Sequence, residues 1–186
     1  MTTNKSKILI IDDDAEIRYS LDRVLNQDGH SLISADSGEA GIETAKKEKP
    51  NLIFLDNRMG GISGIETLQH LRTSSPDSLV ILMTAYGTSQ TAIEAMKHGA
   101  FDYVLKPFDL LKLKDLVRKA LKASRDSFSD SEESFELLLN TADYAEGIVG
   151  SGEKMQQVLK KVGQVAASEA TVMITGDFSY HVGWMI

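Results

Sequence analysis

The sequence predicts an α/β domain built on a doubly wound, five-stranded parallel sheet, followed by a small incomplete α/β fragment. Three observations carry this. From Lys7 to Ser124, short apolar runs alternate five times with segments of helical period, the pattern of βα units. The runs are aliphatic and β-branched without strict alternation, as expected of strands covered on both faces. Finally, four of the five runs end in a polar, chemically useful side chain, and in a parallel sheet all such ends share one edge.

The strands are expected at Lys7–Ile11, His30–Ala35, Asn51–Leu55, Leu79–Met83 and Asp102–Leu105. Between them, apolar residues recur at three and four: Ile17, Leu21, Val24 and Leu25; Ile65, Leu68 and Leu71; Ala92, Ile93 and Met96; Leu113, Val117 and Leu121. Punctuation agrees with these helices. Asp36 and Glu39 have capping-box spacing, Pro50 stops the second helix, and Asp109 can cap the last. The polarity of His30, Ser31 and Ser34 places strand 2 at the sheet edge.

Composition narrows the class. At 186 residues the chain holds one full domain and part of another. With Cys 0, disulfides and thiolate metal sites are excluded, which points to a reducing cytoplasm. The longest early apolar run, Ile8 to Ile11, is too short for a signal-peptide core, and nothing downstream reaches about 18 apolar residues, so no membrane association is expected. Net charge is −7, and residues 126 to 146 supply all of it, with seven acidic residues and no Lys or Arg. The rest balances 20 acidic against 20 basic residues, so no basic surface is expected to hold nucleic acid.

The polar strand ends are Asp12, Asp13 and Asp14 after strand 1, Asp56 after strand 3, Thr84 after strand 4, and Lys106 with Pro107 after strand 5. Each alone is most often a turn, a cap or a solvated charge. Together they are harder to dismiss, because carboxylates crowded at one edge repel unless a cation compensates them. Hard oxygen ligands without His or Cys favour Mg²⁺. The chemistry that follows is phosphoryl transfer, with Asp56 as nucleophile and Asp12 and Asp13 as metal-side acids.

The stretches Ile-Leu-Ile-Ile-Asp-Asp-Asp, Phe-Leu-Asp56, Met-Thr84-Ala and Phe-Asp-Tyr-Val-Leu-Lys106-Pro107-Phe resemble the response-regulator receiver domain of two-component signalling. The resemblance covers residues 5 to about 124. It implies a flavodoxin-like (CheY-like) fold with strand order 2-1-3-4-5. Further, it implies that Asp13 and Asp56 bind Mg²⁺ directly with Asp12 assisting and the Arg58 backbone carbonyl as another ligand, while Thr84 and Lys106 contact the phosphoryl group. Tyr103 matches an aromatic that turns inward when the Thr moves, making helix 4, strand 5 and helix 5 the switch surface. The Lys106–Pro107 bond resembles one that is cis in the family. Arg58 and Tyr86 flank the expected phosphate and are expected to shield it from water. Gly60 stands where Pro is common and Ser63 where Asp is common, which puts loop rigidity and the start of helix 3 in doubt.

Beyond the receiver (1–125) and an acidic linker (126–146), residues 147–186 are similar to the opening of the AAA+ domain of sigma-54-dependent, NtrC-type activators, and the receiver also looks most like theirs. His181 and Val182 occupy the places of the second Gly and the Lys of a phosphate-binding loop, so no ATPase activity is expected. No helix-turn-helix pattern follows. The reading is of a two-component module: a histidine kinase supplies phosphate, Asp56 holds it, and the altered surface binds a partner or forms a homodimer. No enzyme activity is expected beyond self-phosphorylation and self-dephosphorylation at Asp56. One alternative is a truncated remnant of a sigma-54-dependent activator. Another is a haloacid-dehalogenase-like phosphatase, opening at Asp12-x-Asp14, although Glu16 stands where that motif needs Thr or Val. A flavodoxin ranks last, because three aspartates would repel the flavin phosphate.

Overall fold

A computed structural model of the chain describes residues 5–85 and 89–126, with the isolated helical positions Gln157 and Lys161. The expected acidic linker beyond Asp126, the expected AAA+-like fragment (apart from those two positions) and Tyr86 lie outside the described residues.

The chain order is β1 (Lys7–Ile11), α1 (Ala15–Asn26), β2 (Ser31–Ala35), α2 (Gly38–Glu48), β3 (Leu52–Asp56), α3 (Gly64–Ser74), β4 (Leu79–Thr84), α4 (Ser89–Lys97), β5 (Asp102–Leu105) and α5 (Leu110–Asp126). All strands are parallel in the order β2-β1-β3-β4-β5, so β2 is at an edge.

Alternate strand residues feed opposite faces, as the pleat requires. Leu9, Ile11, Ile53, Leu55, Val80 and Leu82 pack with Ala45 of α2, Leu68 and Leu71 of α3, and Ala92, Ala95 and Met96 of α4. On the other face, Ile8, Ile10, Leu52, Phe54, Ile81 and Met83 meet Leu21 and Leu25 of α1 and Leu113, Val117, Ala120 and Leu121 of α5. Burial on both faces is why β1, β3 and β4 read as unbroken apolar runs. Cutting one of these buried Leu or Ile side chains back to Ala would cost about 2–5 kcal/mol.

Helix starts are fixed by side chains, and one of them differs from the sequence expectation. Asp14 caps α1 by accepting the N–H groups of Glu16 and Ile17. Asp109 opens α5 by accepting from Leu111 and Lys112. For α2 the cap is Ser37, whose hydroxyl accepts from Ala40 N–H, and not Asp36 paired with Glu39. The Asp36/Glu39 spacing is therefore off by one residue, and the Glu39 carboxylate reaches elsewhere. The start of α3, in doubt because Ser63 replaces Asp, is closed by a reciprocal capping box: Glu66 N–H donates to Ser63 Oγ, and Ser63 N–H donates to the Glu66 carboxylate at 2.8 Å.

Candidate functional site

Strand register delivers the polar residues to one place. Ile11 of β1 lies opposite Leu55 of β3, so Asp12 and Asp56, each one residue further, emerge side by side. Thr84 lies opposite Leu105, so Lys106 leaves β5 one residue beyond Thr84. Its N–H donates to the Thr84 carbonyl at 2.8 Å, and the Asn57 N–H donates to the Met83 carbonyl at 2.8 Å, which extends the ladder to the site's floor.

The Lys106 ammonium lies 2.7 Å from Asp12 Oδ2 and 2.6 Å from Asp56 Oδ1. Asp12 is fully buried, Asp56 and Thr84 are nearly so, and Asp13 is exposed. Carboxylate oxygens of Asp12, Asp13 and Asp56 fall within 4.8 Å of one another. Three carboxylates gather beside one ammonium, an excess of negative charge of the kind a divalent cation can offset. An all-oxygen donor set with one solvent-facing member suits Mg²⁺, which keeps several waters.

Backbone groups fix the acids. The second Asp56 oxygen accepts the Arg58 N–H at 2.9 Å, and Asp12 Oδ1 accepts the Asp14 N–H at 3.0 Å. With Oδ1 on Lys106 and Oδ2 on a backbone amide, Asp56 is held in a single orientation before any ligand arrives.

Electrostatics is unequal across the ion pairs. Burial pushes the Asp12 carboxyl above its ordinary range, against the lowering by Lys106 and the Asp14 N–H, and the Asp56 charge adds to the rise. Burial also works against the Lys106 ammonium, yet its hydrogen bonds and charge contacts with Asp12 and Asp56 outweigh that and raise its pKa. An isolated pair would lower its acid as it raised its base. Here the burial of Asp12 outweighs what Lys106 offers it, and the second carboxylate on the same ammonium adds a smaller rise.

Tyr103 is buried, packed with Leu82, Ala92 and Met96, and its hydroxyl is pushed up to about 12, first by burial and then by the neighbouring Asp102 charge. The Lys106–Pro107 peptide bond is cis. Among the described candidates, Lys106 contacts Asp12 and Asp56, and Asp13 has a carboxylate oxygen within 4.8 Å of theirs. Thr84 ends β4 beside them, and Tyr103 lies below on the α4 side of the sheet.

Two supporting residues were not anticipated from sequence. A Cβ on Gly64 would lie 2.5 Å from Asn57 Cα and nearer still to the Asp56 carbonyl oxygen, so α3 starts directly behind Asp56 only because no side chain is there. Arg18 Nη1 donates to the Asp12 carbonyl at 2.6 Å, bracing the end of β1 from α1. Both act through tertiary contacts that leave no motif in the sequence.

A family model described as "Response regulator receiver domain" matches residues 8–118. The transcriptional regulatory protein ZraR of Salmonella typhimurium is 34% identical over 178 residues, 95% of this chain and 38% of its own length. The regulatory protein AtoC of Escherichia coli is 33% identical over 172 residues, 92% of this chain and 37% of its own. This chain therefore spans under two-fifths of those curated relatives. Among solved structures, the response regulator protein TrrA of Thermotoga maritima, in complex with Mg²⁺-BeF, superposes with a TM-score of 0.57 at 32% identity, covering 62% of this chain and 98% of that one.

Proposed function

The chain belongs to the response regulator receiver family, and on that premise we propose that Asp56 accepts a phosphoryl group in a Mg²⁺-dependent reaction. The observation that carries this reading is the shared Lys106 ammonium between Asp12 and Asp56, beside a third carboxylate. Asp13 and Asp56 would hold the ion, with Asp12 assisting and the Arg58 carbonyl as a further ligand. When bound, Mg²⁺ supplies charge neutralisation to the transferred phosphoryl oxygens. The Mg²⁺-BeF complex of TrrA supports the choice of ion.

The chain's own groups divide the work. The Arg58 N–H and Lys106 fix Asp56 so that one carboxylate oxygen can attack phosphorus in line. The new bond is an acyl phosphate O–P bond, and the bond that breaks joins phosphorus to the donor, whose leaving atom takes up a proton. With a histidine kinase as donor, that leaving atom is an imidazole nitrogen. Lys106 stays charged throughout, because its raised pKa keeps the proton on the amine, and it can pair with the phosphoryl oxygens once they arrive. Thr84 would donate to one of them.

The output is a change of surface. Thr84 drawn toward the phosphoryl group vacates space on the Tyr103 side of β4, and α4, β5 and α5 present the altered face to a partner or a second copy. Arg58 and Tyr86 would govern access of water to the acyl phosphate. ZraR is named a transcriptional regulatory protein and AtoC a regulatory protein, and a transcriptional output belongs to the proposal for a longer protein containing this receiver. A cytoplasmic setting fits; no helix among the described residues is long and apolar enough to cross a membrane.

The test is incubation with acetyl phosphate and Mg²⁺ followed by intact mass. The parent gains one phosphoryl group; Asp56→Asn gains none, and the parent gains none in EDTA. Equal labelling of Asp56→Asn would move the acceptor elsewhere and overturn the assignment.

A further inference from the structure

The loop from Asp56 to α3 presents a contradiction. It holds Arg58 against the acceptor carboxylate at 2.9 Å, yet it contains two adjacent glycines, Gly60 and Gly61. A Cβ on Gly60 would meet nothing within 4 Å, so neighbouring side chains do not confine that residue. Its far end is locked by the Ser63–Glu66 capping box, and its near end by Asp56. Met59 packs against the core and the Gly64 N–H donates to the Asn57 carbonyl at 3.1 Å, so the stretch left to be held is Gly60 to Ile62.

We propose that Glu39, in the first turn of α2, is a positioning residue for the acceptor site: its carboxylate clamps the loop at Gly61–Ile62 and thereby fixes the Arg58 backbone at Asp56. The proposal rests on the reading of Asp56 as a Mg²⁺-dependent acceptor.

Three observations meet at this contact. Glu39 Oε1 accepts the Ile62 N–H at 3.3 Å across 23 residues of sequence. The carboxylate also comes close to Gly61, its two oxygens 2.8 and 3.1 Å from where a Cβ would stand, and Gly61 has φ +87°, a conformation other residues rarely adopt. The residue before Glu39 engages the same loop, because Ile62 Cγ1 lies 2.7 Å from the Cβ position of Gly38. The first turn of α2 thus meets the loop by a hydrogen bond and by close approaches at Gly61 and Gly38.

Nor is Glu39 occupied in capping its own helix, a task performed by Ser37. A rival explanation remains: an acid in the first turn of a helix stabilises the macrodipole whatever it touches. The two separate by charge. Glutamine keeps the accepting oxygen and loses the charge, whereas alanine loses both.

The experiment uses the full chain, ¹⁵N-labelled, as parent, Glu39→Gln and Glu39→Ala. Amide exchange at Ile62 is read without metal, and Mg²⁺ affinity is read by calorimetric titration. Glu39→Ala should speed Ile62 exchange and weaken Mg²⁺ binding about fivefold, the worth of one hydrogen bond. Glu39→Gln should stay within about twofold of the parent on both readouts. Parent-like exchange and affinity in Glu39→Ala, or equal losses in both variants, would overturn the clamp. A parent that binds no Mg²⁺ would instead sink the acceptor reading, and Ile62 exchange would still decide whether the clamp exists.

Discussion

Replacing Lys106 with Met keeps an unbranched stem and removes the charge that Asp12 and Asp56 share. Two buried carboxylates then face each other without a cation. The loss has a ceiling, because the fold can always escape by protonating one of them. At pH 7 that escape costs the distance from the ordinary carboxyl pKa of 3.8, about 3 pH units at about 1.4 kcal/mol each, or about 4 kcal/mol. Breaking a buried ion pair costs about 3–5 kcal/mol, which agrees, and a domain has only about 5–15 kcal/mol in total. At pH 5 the same escape costs about 1.6 kcal/mol. Urea denaturation in EDTA should therefore show Lys106→Met less stable than the parent by at most about 4 kcal/mol at pH 7, with that ceiling shrinking by more than half at pH 5. Adding Asp12→Asn to Lys106→Met should recover most of the loss, and millimolar Mg²⁺ should recover part of it by mass action. A Lys106→Met deficit that does not change between pH 7 and pH 5 would mean that lost packing, and not uncompensated charge, is responsible.

Asp12→Asn alone should raise the metal-free unfolding midpoint at neutral pH: a carboxyl whose folded pKa is raised contributes stability below its unfolded pKa and loses it as pH rises through the folded value. The same variant should weaken Mg²⁺ binding, seen by calorimetry. Gly64→Ala should lower both stability and Mg²⁺ affinity, because its Cβ must displace the Asp56–Asn57 backbone; an unchanged Mg²⁺ titration would show that the backbone yields without moving the Asp56 carboxylate. In an alkaline spectrophotometric titration one of the five tyrosines should ionise near 12, and Tyr103→Phe should remove that step. Because its folded pKa exceeds 10.0, Tyr103 favours the fold fully below pH 10, and up to about 3 kcal/mol is lost as pH rises through about 12.

Sheet and helices were legible because each signal was local and repeated. The five apolar runs match β1 to β5 to within one residue at each end, and the polarity of Ser31 and Ser34 correctly placed β2 at an edge. Convergence of Asp12, Asp13, Asp56 and Lys106 could be anticipated because a parallel sheet sends all its strand ends to one side. What stayed hidden was non-local. The cap of α2 was misread because Asp36 and Ser37 are both competent, and only tertiary contact decides which faces the helix. Once Ser37 takes that task, Glu39 can reach 23 residues along the chain to Ile62, a contact no spacing rule encodes. Gly64 and Arg18 are similar cases: the space behind Asp56 and the carbonyl at the end of β1 exist only after folding.

These contacts explain how a site with excess negative charge can persist in a small domain. Asp12, fully buried, costs stability in its charged form, and its raised pKa reflects that cost. The offset comes from neutral or oppositely charged groups that do not compete for the metal: the Lys106 ammonium, the Arg58 and Asp14 N–H groups, and the hydrophobic packing on both sheet faces. Of these, only Lys106 carries a full positive charge, and it touches two of the three acids. It follows that stability and metal affinity should move in opposite directions for changes at Asp12. They should move together for changes at Gly64, where geometry and not charge is disturbed. That difference in sign separates electrostatic from positional contributions without requiring phosphorylation.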